Sequence, residues 1–232
     1  MAEPAVLANS TCITLGGVQL QLLPERALFW PAEHTLCIAD LHLGKGDVFR
    51  RAGIALPRGG TALDLARLTA LLSITGARRL LVLGDLIHGP LPADAHWRQL
   101  WNEFAEAHPQ VEFDAVLGNH DRQLRDASSF SRLQRLPAAT QRGGLRLLHE
   151  PPALTEPGFA LCGHVHPVLR LRQPGLPPRL PAFWRRGNQL VLPAFSDFSG
   201  GWAVRPSAGE MLWACAGTEL LEVHGSARTA SV

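Results

Sequence analysis

Lysine, closely spaced cysteines and long hydrophobic segments are what this sequence of 232 residues has least of. Its 22 basic residues include a single lysine, Lys45, and the formal net charge is only +2. So small a charge gives the whole molecule no strong attraction for polyanions, and binding to nucleic acid would need a local basic patch. No hydrophobic run approaches the roughly 20 residues of a membrane-spanning helix, which argues against a protein that crosses a membrane in this way.

The four cysteines stand singly in the sequence and include no C-x-x-C pair. This distribution indicates reduced, buried thiols and argues against a disulfide framework. The first residues, MAEPAVLANSTC, also lack the basic and apolar regions of a secretory signal. We therefore expect a cytoplasmic protein.

Hydrophobic residues make up 46% of the chain and charged residues 18%, which is typical of a folded globular protein. The length suffices for a large core, and no internal repeat or linker divides the chain. We expect one domain over residues 1–232. The C-terminal residues, from about position 207 onward, carry no recognisable motif, and their role stays open.

Short apolar runs predict buried strands, and apolar residues spaced by three and four predict helices over 61–72 and 97–108. The predicted strands cover residues 36–39, 80–83, 113–117, 145–148, 159–162 and 189–192. Their alternation with helices in the first half indicates an α/β arrangement, and antiparallel strands should extend the sheet after residue 189. Five prolines within 167–188 predict an irregular surface loop.

Polar residues directly follow five of these runs. They are Asp40 and His42, Asp85, Asn119 and His120, His149, and His164 and His166. Strands of α/β sheets open onto the functional crevice at their carboxyl ends, and an extended backbone would point His164 and His166 to one side. Taken singly, an aspartate could cap a helix, and His149 could be a hydrogen-bonded core residue. Their coincidence at five strand ends favours a transition-metal site.

The motifs D-x-H, GD, GNHD, H and GHxH occur in this order between residues 40 and 166, and they resemble those of the calcineurin-like metallophosphoesterases. The resemblance implies an α/β fold, a four-layer αββα sandwich of two mixed β-sheets flanked by helices, with two metal ions. It also implies the ligands, which are Asp40, His42 and His166 for the first ion, Asn119, His149 and His164 for the second, and Asp85 for both. His120 would be a catalytic residue that faces the substrate.

The chemistry of such a site suits a phosphate ester. Two divalent ions would bring four positive charges against the two negative charges of Asp40 and Asp85. Metal coordination lowers the pKa of water from about 15.7 toward 7 and so supplies a nucleophile at neutral pH. Mixed imidazole and carboxylate ligands favour manganese, iron or zinc over calcium or magnesium. Mn²⁺ is the expected ion, partly because the resemblance implies it.

The residues after Asp85 distinguish branches of the superfamily. Protein phosphatases carry GD-x-x-D-R, whereas this chain reads GDLIHG over residues 84–89. The histidine is similar to that of the GD-x-x-H motif in recombination-repair nucleases. His88 is therefore a second candidate catalytic residue, although it could equally start a helix or support a ligand.

A narrower resemblance extends from about residue 20 to about residue 205. The stretches IADLHLGK, FRRAG, PRG, HEP, GHVHP and LPAF are similar to those of the bacterial ligase-associated DNA-damage-response endonucleases. This resemblance implies a Mn²⁺-dependent phosphodiesterase or endonuclease that cuts DNA, single-stranded or structured, in DNA repair. It also implies a functional link to an ATP-dependent DNA ligase, a helicase and an exonuclease.

Two groups of basic residues fit a DNA substrate. Lys45, Arg50 and Arg51 follow the first metal motif, and Arg185 and Arg186 follow two aromatic residues within the acid-free stretch 167–196. Arginine can bind phosphates bidentately, and aromatic rings can stack on unpaired bases. The arginines could equally form a solvated surface, with the aromatic residues packed on the core.

Two other functions are compatible with the same motifs. A phosphodiesterase of small substrates such as cyclic nucleotides would need the metal centre but no basic patch. A metal-bound scaffold without catalysis would lack the histidine after the asparagine, which is present here as His120. Hydrolysis of DNA is the function that the motifs favour.

Overall fold

The computed structural model describes residues 6–55, 57, 59–89, 95–125, 130–171, 178–197 and 199–226, and two β-sheets pack face to face within them. Seven strands form the first sheet: β1 (Thr11–Leu15), β2 (Val18–Leu23), β3 (Ala27–Trp30), β4 (Thr35–Ile38), β5 (Arg79–Leu83), β6 (Glu112–Val116) and β7 (Leu133–Leu136). They lie in chain order, with antiparallel pairing from β1 to β4 and parallel pairing from β4 to β7.

Nine strands form the second sheet: β8 (Thr140–Arg142), β9 (Leu145–Leu147), β10 (Phe159–Cys162), β11 (Pro167–Arg170), β12 (Arg179–Arg186), β13 (Gln189–Val191), β14 (Trp202–Ala203), β15 (Met211–Ala216) and β16 (Glu219–His224). The strands β9, β10 and β13 are parallel neighbours at its centre. β12 is antiparallel to β11, β13 and β15, and β15 pairs with β16. The sheet is therefore mixed, like the first.

Alternating side chains of the strands divide the core into two layers. On β4, Cys37 faces the second sheet, where Leu161 and Phe183 belong to the same cluster. Leu36 and Ile38 point the other way, toward the helices.

The helices are α1 (Lys45–Arg51), α2 (Gly60–Thr75) and α3 (His96–Ala107), with short 3-10 segments at Pro31–Glu33 and His120–Arg125. Leu68 of α2 and Trp101 of α3 pack on the outer face of the first sheet. The hydrophobic clusters on the outer face of the second sheet contain no helical residue within the described ranges. The sandwich of two mixed sheets is thus as predicted, with α2 and α3 on the outer face of the first sheet.

Most strand predictions are confirmed, but the predicted loop over residues 167–188 is wrong. Strands β11 and β12 occupy much of its described part, because Pro167 and Pro181 lie where the ladder needs no donor. Residues 172–177 lie outside the described part of the chain. Pro167 begins β11, and Pro181 precedes the first residue of β12 that pairs with β15. Strands β1 to β3 were not predicted. No helix in the described part of the chain has the length and hydrophobicity to span a bilayer.

Candidate metal centre

The loops that carry the five motifs follow the carboxyl ends of five strands. β4, β5 and β6 lead into the first three motifs, and β9 and β10 of the second sheet lead into the other two. An isolated parallel bridge between Ala39 and Ala194 joins the two sheets at this edge. The motifs therefore meet where the sheets come together.

The first group of side chains consists of Asp40, His42 and His166, with one nitrogen or oxygen atom from each lying within 4.8 Å of the others. Nε2 of His166 is 3.3 Å from Oδ1 of Asp40 and 3.4 Å from Nε2 of His42. Nδ1 of His166 donates to the carbonyl oxygen of Gly200 at 3.0 Å. In the neutral ring, Nε2 therefore presents a lone pair to the other two side chains.

The second group consists of Asp85, His149 and His164, which meet the same distance limit of 4.8 Å. Nε2 of His149 is 3.0 Å from Nδ1 of His164 and 3.6 Å from Oδ2 of Asp85. It is also 3.0 Å from Oδ1 of Asn119. Nδ1 of His149 donates to the carbonyl oxygen of Leu83 at 3.1 Å, so the neutral ring again presents Nε2 as an acceptor.

The two groups are direct neighbours. Nδ1 of His149 in the second group is 4.0 Å from Oδ1 of Asp40 in the first. The backbone N–H of His164 donates to Oδ2 of Asp40 at 3.0 Å. Two ions held by these groups would share one compact site.

The donor atoms fit divalent cations. Oδ1 of Asp40 is buried and has no hydrogen-bond partner among the described residues, which is costly for a carboxylate unless a cation compensates it. The lone pairs of His149 and His166 likewise face other acceptors. This mixture of imidazole, carboxylate and amide ligands suits manganese, iron or zinc.

The backbone at this site is unusual. Five of the nine non-glycine residues described at positive φ belong to the two groups, with φ between 49° and 68°: Asp40, His42, Asp85, His164 and His166. Such conformations cost energy and concentrate at functional sites. The backbone is thus not extended at His164 and His166, and the two rings join different groups.

Glycines of the motifs allow the loops to approach each other closely. Gly84 has φ +82°, and a Cβ atom there would lie 1.9 Å from Nδ1 of His149. A Cβ atom at Gly118 would lie 2.2 Å from Oδ1 of Asp85. Side chains of the centre occupy the space that any other residue would need.

Burial and nearby charge keep the rings of His42 and His88 neutral. Burial lowers the pKa of His42, and the positive charge of Lys45 lowers it further. Burial also lowers the pKa of the Lys45 ammonium group, although Asp40 and Asp85 oppose that shift. The pKa of His88 is lowered to about 4, again by burial first and Lys45 second. Neutral rings are the form that binds metals.

The predicted catalytic residues lie side by side next to the second group. The backbone N–H of His120 donates to Oδ1 of Asp85 at 2.9 Å, and its Nε2 is 3.9 Å from Oδ2. The His120 side chain is 40% exposed, so a substrate can reach it. Its ring lies 4.6 Å from that of His88, centroid to centroid.

Three of the predicted substrate-binding residues lie on α1, beside the centre. Lys45 is buried, and its Nζ is 3.4 Å from Oγ of Ser199. Arg50 forms an ion pair with Asp47 on the same helix. Arg51 is exposed.

The structure does not bring Arg185 and Arg186 to the centre. β12 runs antiparallel to β13 and pairs Arg186 with Gln189, at the start of β13 and away from the strand ends that carry the motifs. The guanidinium of Arg186 stacks on Trp184, with Cζ 4.9 Å from the ring centroid. Phe183 is fully buried in the core, as one of the sequence alternatives held.

A residue without a predicted role, Asp121, ties two of the loops together. It is fully buried, and its carboxylate accepts hydrogen bonds from three backbone N–H groups. These belong to Leu86, Ile87 and Gly118, at 3.2, 3.0 and 2.9 Å. Burial raises the pKa of Asp121, and the three N–H groups oppose that rise. The only sequence signal for this residue was its place at the end of GNHD.

The comparison with known proteins agrees with this geometry. A family model described as calcineurin-like phosphoesterase matches residues 34–148. The structure is similar to the crystal structure of Pseudomonas putida nuclease MPE, with a TM-score of 0.78 and 32% sequence identity over 92% of this chain and 100% of that chain. The chain belongs to the calcineurin-like phosphoesterase family. The predicted family, fold and enzyme class are thereby confirmed, and the protein is a phosphoesterase.

Two further solved structures resemble this phosphoesterase with lower scores. A protein of unknown function from Aquifex aeolicus, AQ665, shares 18% identity over 57% of this chain and 78% of that chain, with a TM-score of 0.39. The Escherichia coli phosphoesterase Yfce shares 20% identity over 82% of this chain and 97% of that chain, with a TM-score of 0.44. Curated proteins gave no match.

Proposed function

We propose that this phosphoesterase hydrolyses phosphodiester bonds of single-stranded or structured DNA with two Mn²⁺ ions and serves in DNA repair. The observation that carries the proposal is the pair of adjacent three-residue groups with unsatisfied acceptor atoms. The likeness to a nuclease at 32% identity supports a nucleic-acid substrate. The cytoplasmic location rests on the distribution of the cysteines, and the link to a ligase, a helicase and an exonuclease rests on the resemblance of the sequence motifs.

Each group would hold one ion. Asp40, His42 and His166 form the first ligand set, Asn119, His149 and His164 form the second, and Asp85 contributes to both. When bound, the ions would supply an activated water molecule and neutralise charge on the phosphodiester. Two carboxylates against two divalent ions would leave the site positive, as an anionic substrate requires.

His120 would act on the leaving group. Its exposed ring lies next to Asp85, where Nε2 can donate a proton to the oxygen that departs from phosphorus. His88 packs against this ring and limits its rotation. Lys45 adds a positive charge at the start of α1.

The proposal is tested by incubating the purified protein with Mn²⁺ and single-stranded or stem-loop DNA, which should yield internal cuts. His120→Asn should lower the rate by about 10²–10⁴-fold, the usual contribution of a general acid. His34→Asn is the matched control, since His34 is exposed at the opposite edge and its left-handed φ of 46° suits asparagine.

Three results would contradict the proposal. Cleavage of DNA by His120→Asn at the wild-type rate would remove the assigned catalytic residue. A protein that hydrolyses bis-p-nitrophenyl phosphate but no DNA would instead be a phosphodiesterase of small substrates. Binding of metal without hydrolysis of either substrate would indicate a scaffold.

A further inference from the structure

Three depressions lead away from the metal centre, and two of them are balanced in charge. A cavity of about 540 Å³ beside His42 contains two acidic and two basic side chains, Asp47, Asp64, Lys45 and Arg50. A depression of about 370 Å³ beside His149 contains one of each, Glu150 and Arg122. Neither depression therefore offers a polyanion a continuously positive surface.

The third depression, of about 200 Å³ beside His166, leads to a basic surface. Its one acidic residue, Asp197, is paired with Arg26 at 2.6 Å. Arg179 lines this depression and also a groove of about 990 Å³ over β11 and β12. The described lining of that groove includes no carboxylate, and its basic side chains are Arg170, Arg179, Arg205 and His224.

The register places Arg170 directly opposite Arg179. The backbone N–H of the next residue, Leu171, donates to the carbonyl oxygen of Pro178 at 3.2 Å. Since the two kinds of antiparallel pair alternate, the arginines occupy the closer, non-hydrogen-bonded kind, with Cα atoms about 4.5 Å apart. Their side chains leave the sheet on the same face.

Arg205 continues this line on the neighbouring strand. β14 runs parallel to β11 and pairs Ala203 with Val168. The N–H of Val204 donates to the carbonyl oxygen of Val168 at 3.0 Å, so the same register continues to Arg205 and Arg170. Arg205 is thus level with Arg170, and both line the same groove. We call Arg179, Arg170 and Arg205 the arginine row.

Like charges directly opposite each other destabilise a sheet. All three arginines of the row are exposed, and none has an ion pair or hydrogen bond from its side chain to another described residue. A bound polyanion would remove this repulsion and satisfy the guanidinium groups, because arginine binds phosphate bidentately.

We propose that the arginine row binds the backbone of a single nucleic-acid strand that leaves the metal centre past His166. At about 200 Å³, the depression beside His166 is too small to enclose a double helix. The inference rests on the proposed function, since it assumes that the scissile phosphodiester belongs to a nucleic acid. It moves the substrate-binding arginines from Arg185 and Arg186 to the other end of β12.

The test measures binding of a fluorescein-labelled single-stranded DNA by anisotropy over a range of salt concentrations. The full chain carries His120→Asn and Mn²⁺, so that the DNA stays intact. Each phosphate contact on a single strand contributes about 0.7 to the slope of log K against log salt. Replacing all three arginines of the row with glutamine should therefore lower the slope by about 2 and weaken binding. Single replacements are compared with Arg78→Gln, an exposed arginine at the opposite edge before β5.

Hydrolysis of bis-p-nitrophenyl phosphate by the triple variant, with His120 intact, should equal that of the wild type, because this substrate is too small to reach the row. An unchanged affinity and salt slope in the triple variant would refute the proposal that the arginine row binds DNA, even if the wild type cuts DNA. Loss of the small-substrate activity would also refute it, since the arginines would then act through the centre. Equal affinity of the His120→Asn protein, with the row intact, for duplex and single-stranded DNA would contradict the single-strand assignment. A wild type that hydrolyses the small substrate but neither binds nor cuts DNA would refute the proposed function as well.

Discussion

Replacing Asp121 with asparagine tests whether one buried carboxylate holds the loops of the centre in place. Asp121 follows the asparagine and histidine of the third motif and accepts three backbone hydrogen bonds. Its partners Leu86 and Ile87 follow Asp85, and Gly118 precedes Asn119. The carboxylate therefore joins the loop after β5 to the loop after β6, and each of these loops carries a proposed ligand.

The structure indicates the size of the effect. Oδ2 accepts from Leu86 and Gly118, and Oδ1 accepts from Ile87. An asparagine whose oxygen replaces Oδ2 keeps the hydrogen bonds from Leu86 and Gly118. Each of these bonds becomes weaker by about 1 kcal/mol, because the acceptor is no longer charged. Its amide nitrogen then faces the N–H of Ile87, and that buried donor is left unsatisfied at a cost of about 2 kcal/mol. We expect Asp121→Asn to lower the free energy of unfolding by about 4 kcal/mol, which a domain of ordinary stability survives.

Urea denaturation measures this loss, and hydrolysis of bis-p-nitrophenyl phosphate measures its effect on the centre. Activity should fall about 10²-fold, because displacement of a reacting group by about 1 Å has that effect. Asp197→Asn is the control: Asp197 is a half-exposed partner of Arg26 and Arg67, and such surface pairs contribute about 1 kcal/mol at most. Equal destabilisation by the two substitutions would refute the reasoning.

Three further predictions follow from particular residues. Gly84→Ala should abolish metal-dependent hydrolysis, because its Cβ atom would clash with His149. Gly17→Ala is the control and should keep the activity, since Gly17 has a similar φ of +81° but no atom lies within 4 Å of the new Cβ. Retained activity in Gly84→Ala would contradict the clash. Burial raises the pKa of Asp64 from 3.8 to about 6, so its protonated form stabilises the fold below pH 3.8 and this contribution is lost as pH rises through 6. Between pH 4 and pH 7, urea denaturation should show that the wild type loses about 2–3 kcal/mol of its free energy of unfolding and that Asp64→Asn does not. The same pH dependence in both proteins would contradict this prediction. Mn²⁺ at about 100 times its dissociation constant should stabilise the wild type by about 2.7 kcal/mol in thermal unfolding. The stabilisation of Asp85→Asn by Mn²⁺ should be much smaller, and an equal stabilisation would show that Asp85 is not a ligand.

Local patterns in the sequence were enough to predict the strands nearest the site and the polar residues that follow them. Apolar runs bounded by polar residues predict buried strands because burial of such runs stabilises any sheet, whatever its neighbours. The structure brings Asp40, His42, Asp85, His149 and the two later histidines together, while their role as metal ligands stays a prediction. The predicted loop over 167–188 is wrong because a count of prolines ignores whether a proline begins a strand, as Pro167 does, or occupies a position whose N–H the ladder does not use, as Pro181 does.

The sequence by itself determined the family, the order of the motifs and the kinds of ligand they offer, since these depend on residues close together in the chain. Only the tertiary structure decided that the backbone is not extended at His164 and His166, that Asp121 ties two loops, and that Arg186 lies away from the centre. It also aligned Arg170 with Arg179 and Arg205. These facts depend on which segments pair and in what register, and a shift of one residue turns every side chain of a strand to the opposite face.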